Sequence, residues 1–237
     1  MMKKLLLLAF LAVGMTAHAE TIVTNSDDQV ENKGGVDLGQ GKDDDDRWSM
    51  HFAVGVDIPV STNGLDFAPF RSWEFNWTFV QYDYTPKNSN TTISAGLGLD
   101  WRSYTLKGHK DGFFKVGDVV AVGQADVAND DFSSNIHTVA LNMPVLVKQK
   151  FSKNFAVSLG AQLNWNYYAR IHNHMEQGDN DTDVYTKKIG QRPFTVDILG
   201  IVHVSNGFGI YCKYSPMSVL KKDKGPDFKS LAVGIYF

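Results

Sequence analysis

Residues suited to chemistry are thinly spread along this chain. His172 and His174 stand two apart in "HNH", a spacing that can serve one metal ion if further ligands come from elsewhere. The sequence alone identifies no third ligand. Close by, "GDNDTDV" (178–184) places Asp179, Asp181 and Asp183 at the alternate spacing that opens an EF-hand loop. That loop needs Gly at its sixth position and Glu at its twelfth, where this chain has Val184 and Gly190, so a solvated acidic loop is expected. "KDDDDR" (42–47) gathers four acids, but adjacent carboxylates do not by themselves fold into a cage of oxygens, and it reads as a solvated linker. His51, His137 and His203 have no nucleophile motif around them. No catalytic, cofactor or metal residue is assigned, and the chain reads as a protein that is not an enzyme.

A second set of polar residues is set into apolar surroundings. Asp57, Glu74, Asp100, Arg102, Asp197 and Lys213 fall inside runs that alternate apolar and polar side chains. Eight such runs follow Arg47: roughly Trp48 to Ile58, Ser72 to Thr85, Thr91 to Leu106, Asn135 to Lys150, Phe155 to Arg170, Phe194 to Val204, Phe208 to Ser215, and Asp227 to Phe237. In the fifth, Phe155, Val157, Leu159, Ala161, Leu163, Trp165 and Tyr167 share one face, and Ala156, Ser158, Gly160, Gln162, Asn164 and Asn166 the other. A strand of that length suits a tilted bilayer crossing, which takes about 9 to 11 residues.

The links between runs alternate in length. Those at 86–90, 152–154 and 205–207 are tight and carry turn residues, whereas those near 59–71, 107–134, 171–193 and 216–226 are long and polar. Transmembrane barrels show this asymmetry, with short periplasmic turns and long outer loops. A soluble barrel with its apolar face turned inward around a ligand is the competing arrangement. Two features favour the inverted barrel. The six charged residues mix both signs with small neighbours, as a crowded polar interior requires. Large rings such as Trp48, Trp73, Trp77, Trp101, Trp165, Tyr214 and Phe237 are expected near strand ends, where interfacial girdles lie. Pro144 removes a ladder donor inside the fourth run, so a local bulge is expected there.

The ends of the chain fit this reading. Lys3 and Lys4, the apolar run from Leu5 to Met15, and Ala17-His18-Ala19 form a secretory signal, with cleavage expected after Ala19. Residues 20–47 are rich in Asp, Gly and Asn and poor in large apolar side chains, so a disordered acidic lead-in is expected, and residues 48–237 form the barrel. A net charge of -3 speaks against nucleic acid as a partner, and the single Cys212 rules out both an internal disulfide and a cysteine-built metal site. At the other end, "SLAVGIYF" directs Leu231, Val233, Ile235 and Phe237 to one face. A closed barrel must pair this strand with the first, because an open edge cannot stand in hydrocarbon.

Three stretches carry a family resemblance. "TVALNMPVLVKQKF" (138–151), "KNFAVSLGAQLNWNY" (153–167) and "SLAVGIYF" (230–237) resemble strands of the outer-membrane β-barrel (porin-like, PorT-type) proteins of Bacteroidetes. The resemblance covers most of residues 48–237 and leaves out the acidic lead-in. It implies a small outer-membrane barrel of a family whose members mostly lack an assigned activity, one branch being similar to a protein needed for secretion across the outer membrane. Resemblance to outer-membrane proteins in general implies that the terminal aromatic strand is also read by the barrel-assembly machinery.

The expectation is an all-β, eight-stranded antiparallel transmembrane barrel, an up-and-down meander in the outer membrane with an interior plugged by Asp57, Glu74, Asp100, Arg102, Asp197 and Lys213. Its role is structural or interactive, through long extracellular loops whose partner the sequence does not name. Its other partners are membrane lipid and, during biogenesis, the assembly machinery. A secretion component, a rim-site enzyme and a small-solute channel are the alternatives.

Overall fold

The computed structural model describes residues 46–125, 132–177, 180–205 and 207–237. The expected signal segment, the expected lead-in up to residue 45 and Asp179 lie outside the described residues. Eleven strands follow one another: β1 Asp46–Val60, β2 Trp73–Tyr84, β3 Thr91–Thr105, β4 Asp111–Val116, β5 Val119–Gln124, β6 Phe132–Ser152, β7 Phe155–Gln177, β8 Asn180–Lys187, β9 Phe194–Ser205, β10 Phe208–Ser215 and β11 Lys229–Tyr236. Eight of them close a ring. β1 pairs with β2, β2 with β3, β3 with β6, β6 with β7, β7 with β9, β9 with β10, β10 with β11, and β11 returns to β1, every pair antiparallel. The chain is an eight-stranded up-and-down barrel.

Closure depends on the register of the last strand. Val54 lies opposite Ile235 and Val56 opposite Val233, and the ladder is extended by Phe52 and Phe237, which exchange backbone hydrogen bonds of 3.0 and 2.7 Å. Gly55 faces Gly234 across this seam. A Cβ on Gly234 would sit 2.1 Å from the Val54 carbonyl oxygen, and one on Gly55 would sit 2.4 Å from the Tyr211 hydroxyl. Two residues without side chains therefore let Tyr211 lie across the seam from inside.

The wall is turned inside out relative to a soluble barrel. Val54, Ile93, Val145, Leu159, Leu163, Ile198, Ile210 and Ile235 are exposed on the outside, while Asp57, Glu74, Asp100, Arg102, Gln162, Asn164, Asp197 and Lys213 are buried within. In β7 the alternation runs as the sequence suggests, from exposed Phe155 to exposed Trp165. Ten residue steps of about 3.3 Å at a tilt near 45° give a band roughly 23 Å tall, which matches the apolar belt of a membrane barrel.

Four features differ from the sequence reading. Phe79 is an extra residue in β2: both of its ladders slip there, so inward positions pass from Thr78 to Gln81, a β-bulge that strict alternation hides. Pro144 produces no bulge. It pairs in register with Gln162, and the β3–β6 ladder keeps one register from Ala95/Val145 to Gly98/Asn142 while omitting the two pairs between them. A gap in the ladder is enough to absorb the missing donor, and Gly96 leaves room for the proline ring. Trp77 lies mid-strand and not at an end, stacked on Phe52 at 5.9 Å. Finally, the long links are not simply polar loops. Strands β4 and β5 form a hairpin inside one, and β6, β7 and β8 continue past the ring as an outer sheet.

Candidate functional site

Alternation within four wall strands sends charged side chains to one level of the interior. β2 contributes Glu74, β3 Asp100 and Arg102, β9 Asp197, and β10 Lys213. The Lys213 ammonium lies 2.7 Å from Glu74 Oε2, 2.7 Å from Asp100 Oδ2 and 3.9 Å from Asp197 Oδ2. Arg102 donates to Asp100 Oδ2 at 2.6 Å, to Ser215 Oγ at 3.0 Å and to Asp197. Its Nε also stands 3.4 Å from Glu74 Oε2. Neutral groups complete the plug. Gln162 donates to Asp100 and to Asn164, Asn164 donates to Asp197 at 2.6 Å, and Asn76 and Asn142 extend the chain of amides. Tyr211 donates to Glu74 Oε1 at 3.0 Å.

Asp57 is the sixth interior charge assigned from sequence, and it stands apart. It is fully buried with Ser230 beside it, yet neither carboxylate oxygen has a hydrogen bond of ordinary geometry among the described residues. Among the six residues assigned to the interior, four carboxylates thus face two cations, with amides and hydroxyls between them. Such an arrangement fills this level of the interior with paired polar groups. Sequence reasoning passed over Asn76, Asn142, Tyr211 and Ser215. The signal was present for Tyr211, which shares its inward phase with Lys213 two positions on.

Other groups flank this plug at either end. Toward the outer end lies an apolar cluster of Phe67, Tyr104, Leu106, Phe113, Ile136 and Phe228 with their neighbours, drawn from the wall, the outer links and β4. The hairpin β4–β5 is tied in by Ser134, whose hydroxyl accepts from the Phe113 N–H at 2.9 Å, and by Asn173, which donates to the Phe113 carbonyl at 3.1 Å. Toward the tight-turn end, Tyr236 packs between two histidines, stacked on His51 at 5.0 Å and edge-on to His203 at 5.7 Å. Those rings are engaged by Ser49 and Ser158 respectively, at 2.9 and 2.8 Å.

The residues expected to act as an assembly signal lie on the outer face of the closing seam: Val233, Ile235 and Phe237 are exposed and Leu231 is half-buried. Phe237 meets Phe208 edge-on at 5.8 Å, beside the tight turn between β9 and β10.

Outside the ring, the acidic segment expected as a solvated loop is largely a strand. β8 pairs with the far half of β7, placing His172 opposite Tyr185, His174 opposite Asp183, and Glu176 opposite Asp181. Asp183 Oδ1 accepts from His172 Nε2 at 2.8 Å and from His174 Nδ1 at 2.9 Å. These hydrogen bonds, His172 first, hold the Asp183 carboxyl below the usual carboxylate range. His172 stacks on Tyr185 at 4.6 Å, and His137 stacks on His172 at 6.0 Å.

No family model matches the chain, and no curated protein matches it. Solved structures similar to it include Ail, the attachment invasion locus protein of Yersinia pestis, at 13% identity over 81% of this chain and 99% of that one, with a TM-score of 0.36. Neisserial surface protein A is similar at 11% identity over 80% of this chain and 95% of that one, with a TM-score of 0.32.

Proposed function

We propose that this chain is a small outer-membrane barrel that works as a structural and interaction protein, presenting its outer links to the surroundings and passing no solute through its wall. The observation that carries the reading is the pairing of an apolar exterior with a sealed interior. An exposed aliphatic wall of this extent needs lipid to cover it. The interior offers no channel, because charged and amide side chains fill it and an apolar cluster covers its outer end. Binding, and not catalysis, falls to the outer links. Phe70 is 94% exposed, and Val116, Val119 and Tyr185 are also exposed, well beyond what a solvated loop end needs. The signal-like leader and the resemblance to Bacteroidetes barrel proteins support export to that membrane.

The test is topological. In a Cys212→Ala background, a cysteine at Thr182 on β8 should react with an impermeant thiol reagent on intact cells. One at Lys153, in the tight β6–β7 turn, should react only after the membrane is breached. The opposite pattern, or labelling of neither site in a membrane fraction, would reject the orientation or the location.

A further inference from the structure

We propose that the outer hairpin β7–β8 holds a binding site for one divalent transition-metal ion of the zinc class, with His174, Glu176 and Asp181 as ligands and Asp183 as the group that positions His174. Register brings these residues together. On β7, positions 172, 174 and 176 share one face, and on β8 positions 181, 183 and 185 lie directly opposite them. One ligating atom each from His174, Glu176 and Asp181 lies within 4.8 Å of the others. Donors around a tetrahedral ion at about 2.0–2.2 Å stand roughly 3.4 Å apart, so capture requires movements of about 1 Å by side chains that are exposed or half-buried.

The donor set selects the metal class. Calcium and magnesium favour oxygen-only shells, whereas an imidazole with two carboxylates suits zinc and its neighbours. His174 already has the carboxylate partner that a zinc-ligating histidine uses. Its Nδ1–H donates to Asp183, which fixes the ring and the tautomer and leaves Nε2 to face an ion, the carboxylate–histidine–metal arrangement found behind many zinc ligands. Asp183 is itself steadied by the Nε2–H of His172, whose ring is stacked on Tyr185. β7 is paired here with β6 on one side and β8 on the other, and that ladder makes the support stiffer than a loop would be. Three protein ligands leave a fourth position for water or for a donor from whatever docks on this face. The site is independent of the lumen and of the proposed role in the membrane.

The experiment is a titration of the untagged chain, folded in detergent, with zinc ion followed by calorimetry and with cobalt ion followed by visible absorption. One saturable site per chain is expected, with a cobalt spectrum of low-symmetry four-coordinate type. His174→Ala and, separately, Glu176→Gln should each lower affinity at least 10-fold, and Asp183→Asn should lower it about 10- to 100-fold while altering the cobalt spectrum. Replacing Asp43, Asp44, Asp45 and Asp46 with Asn should change nothing. The hairpin stands outside the ring, so unchanged heat-modifiable mobility on gels will show that each variant is folded. Absence of saturable binding, binding that survives both His174→Ala and Glu176→Gln, or binding lost with the four-Asp variant would overturn the assignment.

Discussion

Lys213→Met tests whether the interior network holds the barrel together. The Lys213 side chain is 1% exposed and its ammonium touches two carboxylates at 2.7 Å, Glu74 and Asp100. At an effective dielectric near 20, each such pair has a gross attraction of about 6 kcal/mol. Much of this is offset by the several kcal/mol needed to strip water from the charge, which methionine never meets. What remains after the substitution is, within this network, Asp57, Glu74, Asp100 and Asp197 with Arg102 to face them. Removing one partner of a buried pair costs about 3–5 kcal/mol, so the folded-to-unfolded ratio should fall by roughly two to three and a half orders of magnitude. Lys107 provides the internal control. Its pair with Asp66 at 3.2 Å lies on the surface, with side chains 66% and 69% exposed, so Lys107→Met should cost about 0–1 kcal/mol. Both variants would be refolded into vesicles and unfolded in urea, with tryptophan fluorescence as the signal. The double variant Glu74→Gln, Lys213→Met should lose less than the sum of its parts, because it removes a charge with each partner. A loss under about 1 kcal/mol for Lys213→Met, no larger than for Lys107→Met, would refute the claim that this network carries the stability of the lumen.

Two further outcomes follow from the closed ring. Purified protein in a planar bilayer should show no large, steady conductance, since the charged plug and the apolar cap fill the passage; steps of porin size would reject the sealed interior. Phe237→Ala removes one ring contact, with Phe208, and should leave folding in detergent nearly unchanged. If the last strand is also what the assembly machinery reads, the same variant should show sharply less heat-modifiable, membrane-inserted protein in cells, whereas unchanged insertion would leave Phe237 a packing residue only.

The ring was legible because its information is local. Period-two alternation such as Phe155 to Asn166 states both the strand and its two faces, and a tight turn such as the one at 153–154 fixes which strands are neighbours. Alternation also placed Glu74, Asp100, Arg102, Asp197 and Lys213 on the lumen side, where they share one network. What escaped was anything that breaks or outlasts the period. Phe79 shifts the phase of β2 by one residue without any change in composition, because a bulge needs only one more residue than its partner strands supply. Pro144 misled in the opposite sense: its missing donor was absorbed by a ladder gap beside Gly96, which the proline alone does not reveal.

The outer hairpin shows why composition could not find the metal-ligand cluster. His174 and Glu176 share a face of β7, but their companions Asp181 and Asp183 lie on a strand whose sequence, "NDTDVYTK", looks like solvated loop. Whether those acids face the histidines depends on the register of β8 against β7. In the observed register Asp183 meets His174 and Asp181 meets Glu176, on the face that His172 shares. A slip of one residue would turn Asp181 and Asp183 to the opposite face and leave Thr182 beside the histidines. The chain holds β8 through cross-strand contacts of its own: Arg170 lies over the Tyr185 ring at 4.6 Å, and Tyr185 stacks on His172. One aromatic side chain clamped between a guanidinium and an imidazole is thus what converts a loop-like acidic segment into a set of ligands at fixed positions.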